Sequence, residues 1–271
     1  MTKMDEYQTY TIGVLGLQGA FYEHIILLER LKFEQRKIEV VTVRTKDDLD
    51  KCKALVIPGG KSNLLEPLVA FCQHPEKPVL GTCAGMIMLS SKAEGAKKGG
   101  QNLFGGMSTT VLRNGFGNQL ESFESNLVLA SKSLKNPEIP FCGVFIRAPM
   151  VLSTQTSPAT PSTPPASTSI PIPTSQASSF SPFDQPLTTT TSAPVEILAT
   201  LPFIPSSAYP ESNVVALRQG QKMACSFHPE LSMNQDVTSG GTIDGVGLFE
   251  EGKGDERLHE YFVRVICLGL E

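Results

Sequence analysis

The sequence predicts an α/β fold, a mainly parallel sheet flanked by helices and broken by one disordered insertion. Three observations carry this expectation. Apolar, β-branched runs alternate with helical periodicity at the start of the chain, the middle holds a stretch with almost nothing to bury, and short strands then resume before a terminal helix. Strands separated by helices imply parallel pairing through right-handed crossovers, with ligands bound beyond the carboxyl ends of the strands.

Residues 10–17 form an apolar, β-branched run, 21–33 carry helical spacing and 38–43 are strand-like again. Short buried strands follow at 54–57 and 78–80, and both run into glycine-rich loops. These loops are Pro58-Gly59-Gly60-Lys61-Ser62 and Gly81-Thr82-Cys83-Ala84-Gly85, the second leading into an apolar helical segment over 86–90. Beyond Gly105 the segments 108–112, 123–130, 141–147, 195–199, 214–218 and 223–227 read as strands with little helix between them. They extend the sheet or form a smaller antiparallel layer. Leu258, Tyr261, Phe262, Val265 and Ile266 share one face of a terminal helix over 255–268, after a glycine-rich stretch at 240–254.

In residues 151–194, 29 of 44 positions are Ser, Thr or Pro and Asp184 is the only charge. So few apolar side chains cannot offset the entropy of ordering, which makes this segment a disordered surface insertion. The 227 residues outside it suit a single domain.

The charge balance narrows the partners. With 23 basic and 27 acidic residues, a net of -4, the chain carries no positive field for a phosphate backbone, so nucleic acid is not an expected partner. No apolar run approaches the ~20 residues needed to span a bilayer, and residues 1–10 lack a signal-peptide core. A soluble, intracellular, cytoplasmic protein without a membrane partner is expected. The six cysteines include no C-x-x-C pair, which points to reduced thiols rather than a zinc site or a disulfide framework.

Cys83 stands out among them. It lies between a buried strand and a helix, with glycine two residues away on each side, in the order of a nucleophile elbow. Such a turn lifts the thiol above the sheet edge, and the helix N-terminus beside it favours the thiolate. His228-Pro229-Glu230 follows another apparent strand and offers a base with a carboxylate to orient it, the logic of acyl transfer through a covalent intermediate. Backbone N–H groups in Pro58-Gly59-Gly60 and at Ala84 are suited to an oxyanion. His24, His74 and His259 lack such company and read as solvated or helix-face histidines.

Together these residues resemble the class I glutamine amidotransferases. Further segments narrow the resemblance to the glutaminase subunits of pyridoxal 5'-phosphate synthase: 13–20 with Glu23-His24, 81–86, 113–119 leading into 122–124, 145–149 and 226–231. The resemblance spans nearly the whole chain apart from the insertion. It implies a fold of the class I glutamine amidotransferase type and a Cys83, His228, Glu230 triad. That triad hydrolyses L-glutamine and delivers ammonia to a synthase subunit making the vitamin B6 cofactor, within a hetero-oligomer. It further implies that Gly60, Lys61, Ser62, Arg113, Ile146 and Arg147 bind glutamine, that Gly60 and Ala84 hold the oxyanion, and that neither metal nor cofactor is needed. Arginine suits an α-carboxylate because it can bind both oxygens. The chain departs from the family at Lys61, where Glu is usual, and in a shorter stretch between Gly60 and Gly81. The alternatives are a catalytically weak regulatory partner of the synthase, or a class I glutaminase serving another ammonia acceptor.

Overall fold

A computed structural model describes residues 8–17, 19–34, 36–58, 64–95, 103–117, 119–154, 193–202, 211–233 and 254–270. The chain begins with β1 (Gln8–Leu15), α1 (Phe21–Arg30) and β2 (Arg36–Val43), and continues through α2 (Lys46–Asp50), β3 (Ala54–Ile57), α3 (Leu65–Gln73), β4 (Val79–Thr82) and α4 (Ala84–Leu89). Next come β5 (Ser90–Glu94), β6 (Met107–Leu112), β7 (Phe123–Leu129), β8 (Phe141–Phe145) and β9 (Met150–Thr154). Then follow β10 (Val195–Thr200), β11 (Val214–Gln219), β12 (Lys222–Cys225) and α5 (Arg257–Tyr261), which continues as a π-helix over Phe262–Cys267.

Nine strands form one sheet in the order β2-β1-β3-β4-β12-β11-β10-β7-β8, and β5-β6-β9 form a second. The large sheet is mixed. Pairing is parallel from β2 through β12, as the strand–helix alternation requires, and antiparallel from β12 to the β8 edge. Most of the late strands therefore extend the sheet, while β6 joins the small one. The antiparallel half brings its edge back to the centre: the N–H of His228, just after β12, donates to the Val144 carbonyl of β8 at 2.9 Å.

Alternation along the central strands covers both faces. Ile12 and Val14 of β1 and Ala54 and Val56 of β3 pack into one core with Leu28 of α1 and Leu258, Tyr261 and Phe262 of the C-terminal helix. Leu15, Leu55 and Ile57 point the other way, into a core with Leu68 of α3, Met86 and Leu89 of α4, and Met107, Val111 and Val151 from the small sheet. Side chains on successive strand residues face opposite sides, so a four-residue run such as Ala-Leu-Val-Ile feeds both cores at once.

The proposed insertion starts too early by four residues. Val151 is fully buried, and β9 pairs antiparallel with β6 from Leu112↔Met150 to Thr109↔Thr154. The two apolar side chains at 151 and 152 belong to the sheet, and Ser/Thr/Pro enrichment dominates only after them. Residues 155–192 lie outside the described residues. Within the stretch from Gly60 to Gly81, α3 buries Leu68, Phe71 and Cys72.

One polar network fastens the C-terminal helix to the antiparallel half. The buried Arg257 guanidinium donates to both Asp255 carboxylate oxygens and to the carbonyls of Asn136, Ile139 and Pro140, in the β7–β8 connection. Five directed contacts offset the desolvation of a charge that would otherwise be costly to bury.

Candidate active site

β4 runs into the interior with all four residues buried, and the chain reverses at Cys83 into α4. Cys83 has φ 49° and ψ -105°, outside the comfortable region for a residue with a Cβ. Strain of this kind costs about 1–3 kcal/mol and persists only where the surroundings impose it. Here they do. The Cys83 N–H donates to the Cys225 carbonyl of β12 at 2.8 Å, and its own carbonyl accepts from Met86 and Ile87 as α4 begins.

The glycines two residues either side of Cys83 permit close packing. A Cβ at Gly85 would meet the Ile57 carbonyl oxygen at 1.9 Å, and one at Gly81 would meet the Gly85 backbone at 2.6 Å. No side chain fits between the elbow and β3. This close contact sets the Cys83 turn directly against the end of β3 at Ile57.

The thiol is half-buried and directs its proton toward the Ile146 carbonyl, 3.7 Å away, just beyond β8. His228 lies against the same thiol from the loop after β12. Its Nδ1 is 2.8 Å from Oε1 of Glu230, which is fully buried in a short 3-10 turn over Pro229–Leu231. Because an ionised carboxylate only accepts, Nδ1 carries the proton and Nε2 is left for the sulfur side.

Burial opposes the charged His228 imidazole, but contact with Cys83 and with Glu230 outweighs burial and pushes the imidazole up to about 10. For Glu230, burial favours the neutral acid, yet His24 and His228 hold the carboxyl well below the usual range. A persistently ionised carboxylate thus backs a histidine that stays protonated through neutrality. Burial pushes the Cys52 and Cys142 thiols up to about 11 and Cys72 to about 12, with Cys225 and Cys267 higher still. None of those five supplies thiolate near pH 7.

The other site candidates are placed unevenly. Ala84 opens α4, so its N–H is one that the helix cannot itself pair, and it adjoins the nucleophile. Ile146 reaches the thiol through its main chain. Arg147 is exposed with φ 48°, and Arg113 follows β6, its N–H donating to the Glu94 carbonyl. Neither guanidinium makes a hydrogen bond or ion pair with the triad among the described residues. Gly60, Lys61 and Ser62 lie outside the described residues. No group of three or more acidic, histidine or cysteine side chains able to hold a metal occurs among the described residues. Nor is any helix there long and apolar enough to cross a membrane.

His24 and His259 are not solvated histidines. Both are fully buried, His24 Nδ1 is 2.7 Å from His259 Nε2, and His24 Nε2 lies 3.2 Å from Glu230 Oε2. Helical spacing alone could not distinguish them from surface positions. The signal available was that His24 and His259 sit on the inward faces of their own amphipathic segments, beside Leu27–Leu28 and Leu258–Phe262. His74 is exposed, as expected.

A thiol on a strained strand-to-helix turn, backed by a histidine and a buried carboxylate, can perform acyl transfer with the chemistry of the cysteine-dependent amidotransferases. Comparison with known proteins narrows that class. The profile of the SNO glutamine amidotransferase family matches residues 14–161, and the chain belongs to that family. It is 34% identical over 268 residues to the "Probable pyridoxal 5'-phosphate synthase subunit PDX2" of Arabidopsis thaliana, covering 94% of this chain and 85% of that one. It is also 34% identical over 237 residues to the "Pyridoxal 5'-phosphate synthase subunit PdxT" of Anoxybacillus flavithermus, covering 84% and 92%. A crystal structure described as that of a glutamine amidotransferase aligns with TM-score 0.57 at 28% identity, over 94% of this chain and 98% of that one.

Proposed function

We propose that this protein is the glutaminase subunit of a pyridoxal 5'-phosphate synthase, hydrolysing L-glutamine through Cys83, His228 and Glu230 and passing the ammonia to a synthase subunit. The observation that carries the reading is the pairing of the strained Cys83 elbow with a histidine whose far nitrogen is held by a buried carboxylate. Membership of the family and the names of the relatives supply the substrate and the partner.

In this reading the Cys83 thiol proton passes to His228 Nε2 as the sulfur attacks the side-chain amide carbon of glutamine, and negative charge moves to the carbonyl oxygen. The Ala84 and Gly60 N–H groups stabilise that oxyanion. As the carbon–nitrogen bond breaks, protonated His228 gives its Nε2 proton to the departing nitrogen, leaving a γ-glutamyl thioester and ammonia. Neutral His228 then takes a proton from water, whose oxygen displaces the sulfur to give glutamate. Glu230 keeps Nδ1–H oriented throughout and favours the charged ring whenever it forms. Gly60, Lys61, Ser62, Arg113, Arg147 and the main chain at Ile146 bind the amino-acid end, with the arginines suited to its carboxylate.

A glutamine analogue with an electrophilic carbon in place of the amide tests the site assignment. It is expected to attach one analogue per chain, with peptide mass spectrometry placing the added mass on Cys83 and excess glutamine protecting it. Modification at another cysteine, or none under conditions that label a related glutaminase, would overturn the assignment.

A further inference from the structure

We propose that His24 is a positioning residue for Glu230, so that the chain of polar contacts begun by Cys83, His228 and Glu230 continues through His24 to His259 on the C-terminal helix. The inference rests on the glutaminase reading and deepens it. Glu230 is fully buried, and His228 occupies only Oε1. Its other oxygen faces His24 Nε2 from α1 at 3.2 Å, an ion-pair distance without the alignment of a full hydrogen bond. Thr82 of β4, next to the nucleophile, places Oγ1 3.3 Å from the same nitrogen.

The proton positions follow from the two ends of the chain. Burial, reinforced by the nearby His24, pushes His259 down to about 3, so the ring is neutral and carries one proton. Its Nδ1 has no hydrogen-bond partner among the described residues, whereas its Nε2 is 2.7 Å from His24 Nδ1. An unpaired buried donor is costly, which puts the His259 proton on Nε2, where His24 Nδ1 accepts it. His24 must then carry its own proton on Nε2, the atom facing the carboxylate. The reverse arrangement would set a bare nitrogen against an ionised oxygen.

This arrangement does two things for the reaction. It gives the second carboxylate oxygen a donor, fixing the plane from which Glu230 Oε1 holds His228. It also helps to keep Glu230 ionised inside the core, since the N–H donated from His24, like the one from His228, lowers the carboxyl's proton affinity. The remaining titratable groups around the carboxylate are His228, His259 and the Cys225 thiol, and burial holds Cys225 neutral. Removing the His24 donor leaves a buried carboxylate with His228 as its one charged partner among the described residues.

Two substitutions separate the halves of the chain. A glutamine side chain reaches the Nε2 position of histidine and an asparagine only the Nδ1 position, so His24→Gln keeps a donor toward Glu230 and His24→Asn loses it. Steady-state glutamine hydrolysis by the full chain with its synthase subunit is expected to show kcat for His24→Asn reduced roughly 10- to 100-fold, the loss typical of an outer hydrogen-bond partner. KM stays near the wild-type value because His24 does not touch glutamine. The acid limb of the His24→Asn pH profile moves toward neutrality as Glu230 becomes easier to protonate, and His24→Gln recovers most of both properties. Wild-type kcat and pH profile in His24→Asn, or a His24→Gln defect as deep as that of His24→Asn, would overturn the proposal. Nitrogen NMR of the wild-type protein decides independently of how the variants fold: the proposal requires a protonated Nε2 on His24, and a bare one refutes it. An inactive wild type in the same assay would count against the glutaminase reading, while the NMR result would still judge the His24 contact.

Discussion

Cys83→Ala is expected to abolish glutamine hydrolysis, lowering turnover by about 10⁴-fold or more while leaving the fold and binding to the synthase subunit intact. Losing the nucleophile removes the covalent route altogether, and losses of that order follow when a triad nucleophile is deleted. No other thiol can substitute, because burial keeps Cys52, Cys72, Cys142, Cys225 and Cys267 protonated. Stability should change little. The sulfur is half-buried, and what it gives up is a weak hydrogen bond to the Ile146 carbonyl and its contact with His228, which Glu230 still holds. The strained φ at 83 is the same for alanine, so no strain is released. Glutamate production by the purified variant, read beside a thermal melt, checks both halves. Substantial turnover by a folded Cys83→Ala protein would rule the assignment out.

Glu230→Gln is expected to cost about 10⁴-fold in turnover, the order of loss when a triad carboxylate becomes an amide. The amide is nearly the same size and its oxygen can still accept from His228 Nδ1 at the present 2.8 Å, although its NH2 then faces the His24 donor. Charge is what disappears. Burial lowers the His228 proton affinity, and with the carboxylate gone only the Cys83 contact remains to oppose it. The alkaline limb of activity, expected near the His228 value of about 10 in the wild type, should therefore move to lower pH. Stability carries the same sign. A histidine raised from 6.5 to about 10 contributes stability that is full below 6.5 and is lost as pH rises through about 10. Glu230, held below its ordinary 4.5, contributes stability that is present above 4.5 and lost as pH falls through its lowered value. The variant should therefore lose the Glu230 contribution and the carboxylate's share of the His228 one, with the wild-type advantage in melting temperature greatest between about 4.5 and 6.5 and declining on either side. A wild-type alkaline limb in Glu230→Gln would show that the carboxylate does not govern His228.

The parallel half of the sheet was legible because its strands are short, continuously apolar and closed by glycine-rich turns. Ala54–Ile57 was located to the residue. α2 was not, since five residues reading Lys-Asp-Asp-Leu-Asp have no apolar face; its signal is the capping box between Thr45 and Asp48. β5, Ser90–Glu94, lacks apolar alternation because it gains its place from β6 rather than from burial. β9 was hidden by the Ser/Thr-rich composition that begins beside it. At the site, Cys83, His228 and Glu230 were legible because each stands within a short motif whose spacing carries chemistry. His24 and His259 were not, since their contact spans 235 residues of sequence and depends on α1 and α5 packing on the same face of the sheet.

The most direct test of the central claim is glutamate and ammonia release from L-glutamine by the full chain, with and without the cognate synthase subunit. Equimolar glutamate and ammonia are predicted, with the highest turnover in the assembled complex and none from Cys83→Ala under the same conditions. Absence of glutamate in both states, from a wild-type chain that demonstrably binds the synthase subunit, would contradict the account.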